Sequence, residues 1–379
     1  MTLRVLLTAP ALETWSGAEL YVRDLALGLL ARGHRPVAYA PRLGQLADAM
    51  RDATIPVVAD LGGLGARPDI IHGQDNHELL TALAMFPTVP AVRVCHGWED
   101  EAPEPFPRVR RYVCVDETVR DRDVGEWGVP DSRAVVLLNF VDLRRFAARP
   151  PLPRLPGRAL VFSNYAAAHV PPIREACQRL GIALDAVGAS VQAAVDDPER
   201  LLPQYDLVFA KGRCALEAMA VGAAVVLCDA RGLGPMVTAA GFDDLRQANF
   251  GMRTLGRAVT AGAVAAVVAD YDADDAARVS GRVRATAGLD DAVARMLQVY
   301  DEVLAEAHAD PGDLEADLRA VSRYLRRVTS RLQWVQSPRA VAYQLARRAY
   351  FGAQRLPVIG AFLPGRARAQ RTQRQLRGQ

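Results

Sequence analysis

The chain has 379 residues, is 50% hydrophobic and 23% charged, and carries a formal net charge of +3. That length suits two domains, or one large domain with an extension, and the profile is that of a soluble globular protein. No apolar run reaches the roughly 18 residues of a spanning helix, so no membrane-spanning helix is expected.

The opening MTLRVLLTAPALETW has too short an apolar core for a signal peptide and reads as a first strand. Residues 3–10 form that buried-strand pattern, and 16–34 follow with leucines at helical spacing and Gly33 as a stop. Further strands are expected at 36–40, 56–60, 69–73, 91–97, 111–116 and 134–140, with a helix at 77–86. Residues 148–158, ARPPLPRLPGR, hold four prolines in eleven positions and read as a linker. A second alternation follows, with strands at 159–165, 183–188, 205–210 and 223–229 and helices at 171–181 and 213–221. The expected fold class is α/β, with two Rossmann-like halves facing one another across a cleft at the strand carboxyl ends.

The expected boundaries are 1–147 for the first domain, 148–158 for the linker, 159–310 for the second domain and 311–379 for a helical tail. The tail carries the basic charge. Residues 318–379 contain fourteen arginines and no acidic residue, so the first 317 residues carry −11. Residues 313–335 place Leu314, Leu318, Val321, Leu325, Val328, Leu332 and Val335 three or four apart, an amphipathic pattern interleaved with arginines. Such a helix suits an anionic membrane surface or a protein partner. Nucleic acid is disfavoured, because 1–310 holds no nucleic-acid motif. Five cysteines without C-x-x-C spacing point to a reducing cytoplasm, with neither a disulfide framework nor a zinc site.

Lys211, in AKGRCALEAMAVGAAVVLCD, is the only lysine among 46 basic residues. It stands at the carboxyl end of a strand, where Gly212 lets backbone approach closely and a helix beginning near Arg213 offers free N–H groups to a phosphate. Glu217 lies one turn further, as a carboxylate able to accept from paired hydroxyls or as a helix residue with a charge partner. Gly17 opens a helix after the first strand. His96 and Trp98 follow the strand at 91–95, where Trp98 can stack on a sugar or simply pack. Asp75 and Asn76 end another strand, as polar contacts to a ligand or with Asn76 as a helix cap. Gly232 and Gly234 lie in a turn at 231–237 that can bring backbone N–H groups to a ligand, whereas NFG at 249–251 is either a cleft-closing loop or a plain turn.

Taken in order, SGAELYVRDLALGLLARGH, DIIHG, VCHGW, NFVDLRRF and GRCALEAMAVGAAVVLCD resemble the GT-B glycosyltransferases, in particular the retaining family 4-like group, over residues 3–300. The resemblance implies a nucleotide-sugar donor in the second domain and a glycan or lipid-linked acceptor in the first, with no metal or other cofactor. It implies a hexosyl-type transferase in the cytoplasm, peripheral at the inner face of the membrane if the tail binds lipid. It gives His96 a place at the transferred sugar and Glu217 the ribose, as second glutamate of an E-x7-E motif. The first glutamate of that motif is replaced by Phe209, and the Arg-x4-Lys pair that grips the diphosphate is replaced by Asn164 and His169. Lys211 is the expected substitute cation. The alternatives are a catalytically impaired GT-B-like protein that binds a sugar nucleotide or a protein partner, and a GT-B epimerase.

Overall fold

The computed structural model describes residues 1–97, 102, 105–193 and 195–336, with the side chains of 331–336 left aside. The chain divides into two units, residues 1–317 and a second that begins at residue 318.

In the first unit the chain alternates β1 (Arg4–Thr8), α1 (Gly17–Ala31), β2 (Arg35–Tyr39), α2 (Gln45–Asp52), β3 (Val57–Val58), β4 (Ile70–Gly73), α3 (Asn76–Met85), β5 (Ala91–Cys95), β6 (Val109–Cys114), α4 (Glu117–Gly125) and β7 (Ala134–Val136). These strands make one parallel sheet in the order β3-β2-β1-β4-β5-β6-β7. Residues 137–157 carry the chain to the second sheet with no helix or strand.

The second sheet is built from β8 (Arg158–Phe162), α5 (Val170–Arg179), β9 (Ala183–Val187), α6 (Pro198–Leu201), β10 (Leu207–Ala210), α7 (Gly212–Val221), β11 (Ala224–Asp229) and β12 (Gly232–Met236). Its order is β12-β11-β10-β8-β9. Every residue of β10 and β11 is buried, because both faces of a parallel sheet are covered by helices. Helix α8 (Phe242–Gln247) is followed by α9 (Ala261–Val268) and α10 (Ala273–Thr286). One core joins the sheet to α7 and α10, and another joins it to α5 and α9. Gly222, at φ 98°, ends α7 in the left-handed conformation that favours glycine.

One expectation changes here. Residues 231–237 read as a turn but contain β12, antiparallel to β11. Helix α11 (Leu289–Ala309), in the stretch assigned to the second domain, packs against α1, β5 and β6 of the first sheet. Its buried Val293, Met296, Tyr300 and Val303 form a helical stripe that finds its partner there. Gly28 on α1 leaves room for Val293, and the Tyr300 hydroxyl shares a 2.7 Å hydrogen bond with His72 Nδ1.

Helix α12 (Leu314–Gln336) realises the amphipathic segment, with Leu314, Leu318 and Leu325 exposed. Residues 337–379 lie outside the described residues. Among those described, no helix is long and apolar enough to cross a membrane.

Candidate functional site

Each sheet has a topological switch point, where successive connections leave a strand in opposite directions and open a crevice at the carboxyl ends. In the second sheet it lies between β8 and β10. The β8–α5 turn carries Asn164 and His169, and the β10–α7 turn carries Lys211 and Gly212.

Lys211 is the N-cap residue of α7, partly exposed, with its Nζ 3.4 Å from Oδ2 of Asp229 at the end of β11. Gly212 follows at φ 56° with open space where a Cβ would point, and its N–H donates to the Phe250 carbonyl at 2.8 Å. Phe250 and Asn249 are both left-handed, at φ 52° and 51°, so NFG is a strained turn that holds the start of α7. Asn164 is exposed, and its Oδ1 accepts a 3.3 Å bond from Ala189 N–H.

His169 is buried, and among the described residues neither ring nitrogen has a hydrogen-bond partner. Burial lowers its pKa, opposed by the nearby charge of Asp229 and by the Tyr165 backbone, which falls short of bonding geometry. Gly232 and Gly234 are buried in β12. A Cβ at either would stand 2.8 Å from a backbone oxygen, of Leu255 and Thr254 respectively. Their smallness therefore serves strand packing.

Arg213 points the other way. Its Nε donates to Glu217 Oε1 at 2.8 Å, and its Nη2 pairs with Asp24 on α1. Glu217 and Asp24 are buried, so the Arg213 guanidinium bridges carboxylates on α7 and α1, with Arg23 as a second partner of Asp24 at 3.0 Å. Burial raises the Glu217 pKa, against the pull of Arg213.

The first switch point lies between β1 and β4. Gly17 begins α1 with nothing near its missing Cβ, and Glu19 folds back to accept from Thr14 N–H at 2.7 Å. His96, just after β5, bonds through Nε2 to Gln74 Oε1, and Tyr21 meets it edge-on at 5.0 Å. Because that amide oxygen only accepts, the hydrogen-bond network assigns the imidazole proton to Nε2. Asp75, not Asn76, caps α3, accepting from His77 N–H at 2.8 Å and Glu78 N–H at 3.1 Å. Asn76 is buried and donates to the Ala102 carbonyl at 2.8 Å. Burial, reinforced by Asp75, raises Glu78 to about 8. Below this edge Cys95, Cys114 and Asp123 cluster, with Arg93 2.9 Å from Cys95 Sγ and Arg122 paired to Asp123 at 2.8 Å. A metal ion there would meet two guanidinium groups already in place.

Residues 15–145 match the family model Glycosyltransferase Family 4. A glycosyltransferase from Rickettsia africae superposes with a TM-score of 0.57 at 15% identity, covering 80% of this chain and 99% of that one. WaaG, a glycosyltransferase involved in lipopolysaccharide biosynthesis, gives 0.52 at 12%, covering 78% and 99%. The fold is GT-B, and residues 15–145 are similar to the family 4 model. No curated protein matches the sequence.

Within this GT-B frame, Asn164, His169, Lys211 and Gly212 gather at one edge, and Gly17, Asp75, Asn76 and His96 at the other. Trp98 lies outside the described residues. Sequence reasoning missed Asp229, Asp24 and Gln74. Asp229 ends an apolar strand, a position that places its carboxylate at the carboxyl edge, and this was the one available signal.

Proposed function

We propose that this family 4-like GT-B protein transfers a hexosyl group from a nucleotide sugar, bound at the second switch point, to a glycan or lipid-linked acceptor at the first. The observation that carries the reading is the placement of the single lysine. Lys211 sits at the crevice between β10 and β8, beside a glycine that leaves the backbone open.

A departing nucleoside diphosphate gains negative charge in the transition state, and a preset cation stabilises it most in a partly buried site. Lys211 is that cation, and Asn164 is the exposed amide across the crevice. With the charge met by the chain itself, the proposed reaction is metal-independent. His96, held by Gln74 through Nε2, turns its other ring edge to the transferred sugar. Retention is the stereochemical course we assign. Glu217 meets the ribose by releasing Arg213 to Asp24, so ribose binding competes with the pair on α7.

The tail, with Leu318 and Leu325 exposed beside Arg319, Arg323, Arg326 and Arg327, fits an anionic membrane surface and would hold the enzyme near a lipid-linked acceptor.

A second reading is favoured by one observation: Glu217 is already neutralised, and Phe209, in the place of the first motif glutamate, is fully buried in β10. It describes a binder of sugar nucleotides without transfer. A thermal-shift screen over nucleotide sugars, followed by assay of nucleoside diphosphate release, separates the two. Stabilisation with release supports transfer, stabilisation without release supports the binder, and no stabilisation contradicts both.

A further inference from the structure

Tyr165 is 60% exposed and, among the described residues, is the one aromatic side chain left open to solvent. A single exposed hydrophobic side chain is ordinary on a protein surface. This one stands at the rim of the second crevice. In the pair β10–β8, Leu207, Val208 and Phe209 lie opposite Ala159, Leu160 and Val161. Carried two residues on, that register brings Lys211 level with Ser163, one strand spacing of about 5 Å away. Tyr165 follows two residues later, and two residues of chain reach at most about 7 Å. The lysine and the open ring therefore belong to neighbouring turns of one crevice.

The turn that carries the ring is fixed. Tyr165 N–H donates to Ser163 Oγ at 3.1 Å, Ala167 N–H to Ser190 Oγ at 3.0 Å, and Ser190 N–H to the Asn164 carbonyl at 3.1 Å. These bonds sew it to the turn after β9, so its backbone is ordered before any ligand arrives and binding has few torsions left to freeze. A flat apolar face, with the Asn164 amide next to it in the chain, suits an amphipathic ring rather than a phosphate. A pyranose is such a ring, with C–H groups on its faces and hydroxyls around its rim.

The two sides of Lys211 set the direction of the donor. Glu217, assigned to the ribose, lies on the α7 side, and Asn164 and Tyr165 lie on the β8 side. A nucleotide sugar with its ribose toward α7 and its diphosphate at Lys211 carries its sugar toward Tyr165. We propose that Tyr165 is a stacking platform for the sugar of the donor, packing against the C–H face of a pyranose. The inference rests on the assignments of Lys211 to the diphosphate and Glu217 to the ribose.

The test is calorimetry on the full chain with UDP-glucose, UDP-galactose and GDP-mannose, each set against its own nucleoside diphosphate. Wild type, Tyr165→Ala and Tyr165→Phe are compared. Tyr165→Ala is expected to bind the preferred nucleotide sugar roughly three- to tenfold more weakly, because one apolar contact face is lost. Its affinity for UDP or GDP is expected to match the wild type. Tyr165→Phe keeps the ring and is expected to keep the affinity. Equal weakening of nucleotide sugar and diphosphate, or of neither, overturns the platform, as does a loss in Tyr165→Phe. Binding of the diphosphates but of none of the three nucleotide sugars overturns the platform and leaves the phosphate reading standing. If UDP and GDP both fail to bind the wild type, the phosphate reading and the platform fall together.

Discussion

Arg213 on α7 and Asp24 on α1 form an ion pair between residues 189 positions apart, joining the helix that follows β10 to the helix that follows β1. Glu217 completes the group from one turn along α7. Both carboxylates are nearly inaccessible, so the arginine works as a two-sided counter-ion between the sheets.

Removing it should be costly. Arg213→Ala leaves the buried Glu217 without its ion-pair partner and Asp24 with Arg23 alone, and a destabilisation of about 3–5 kcal/mol is expected in urea unfolding near neutral pH. Adding Asp24→Asn and Glu217→Gln to that variant should recover much of the loss. A single Arg213→Ala with wild-type stability would contradict the pairing.

Gly188 closes the turn beneath Asn164. It lies at φ 137°, and a Cβ there would stand 1.9 Å from the Ser163 carbonyl oxygen. Gly188→Ala is expected to lower stability by about 3 kcal/mol or more and to weaken nucleotide binding, since the β8–α5 turn must move. Thermal melts and calorimetry on this variant check both effects.

His72 makes the fold sensitive to acid. Burial lowers its pKa from the ordinary 6.5 to about 3, so the unfolded chain binds a proton that the folded chain refuses. Stability therefore falls as pH drops from about 6.5 toward 3, and burial of His169 acts in the same direction. His72→Gln should lose roughly 2–3 kcal/mol less than wild type between pH 7 and pH 4.5, measured by urea unfolding at each pH. An equal loss in both would assign the acid sensitivity to other groups.

The tail is tested with vesicles. Full-length protein should sediment with phosphatidylglycerol vesicles at low salt and be released as salt rises, because screening weakens arginine–lipid attraction. Charge reversal at Arg319, Arg323 and Arg326 should reduce sedimentation. Sedimentation unaffected by these changes would contradict a basic-surface contact.

Much of the fold was legible because parallel strands buried on both faces, such as VVLCD of β11, are short apolar runs separated by helical periodicity. Strand β12 was hidden by its Gly-Leu-Gly-Pro composition, which reads as a turn until the backbone of 254–257 is seen packed against it. The docking of α11 on the first sheet was equally invisible, since its apolar stripe names no partner. At the site, local sequence placed Lys211 at a helix start. It left Asp24 unconnected to Arg213, because that bond is created by the meeting of the two sheets. His169, expected at the donor, has a buried side chain.

The most direct test of the donor site is the affinity of Lys211→Ala for the nucleoside diphosphate that binds the wild type best, by calorimetry on a variant confirmed to be folded. Loss of one charge-assisted phosphate contact predicts binding roughly ten- to hundredfold weaker. Unchanged affinity would contradict the assignment of Lys211 to the donor phosphate.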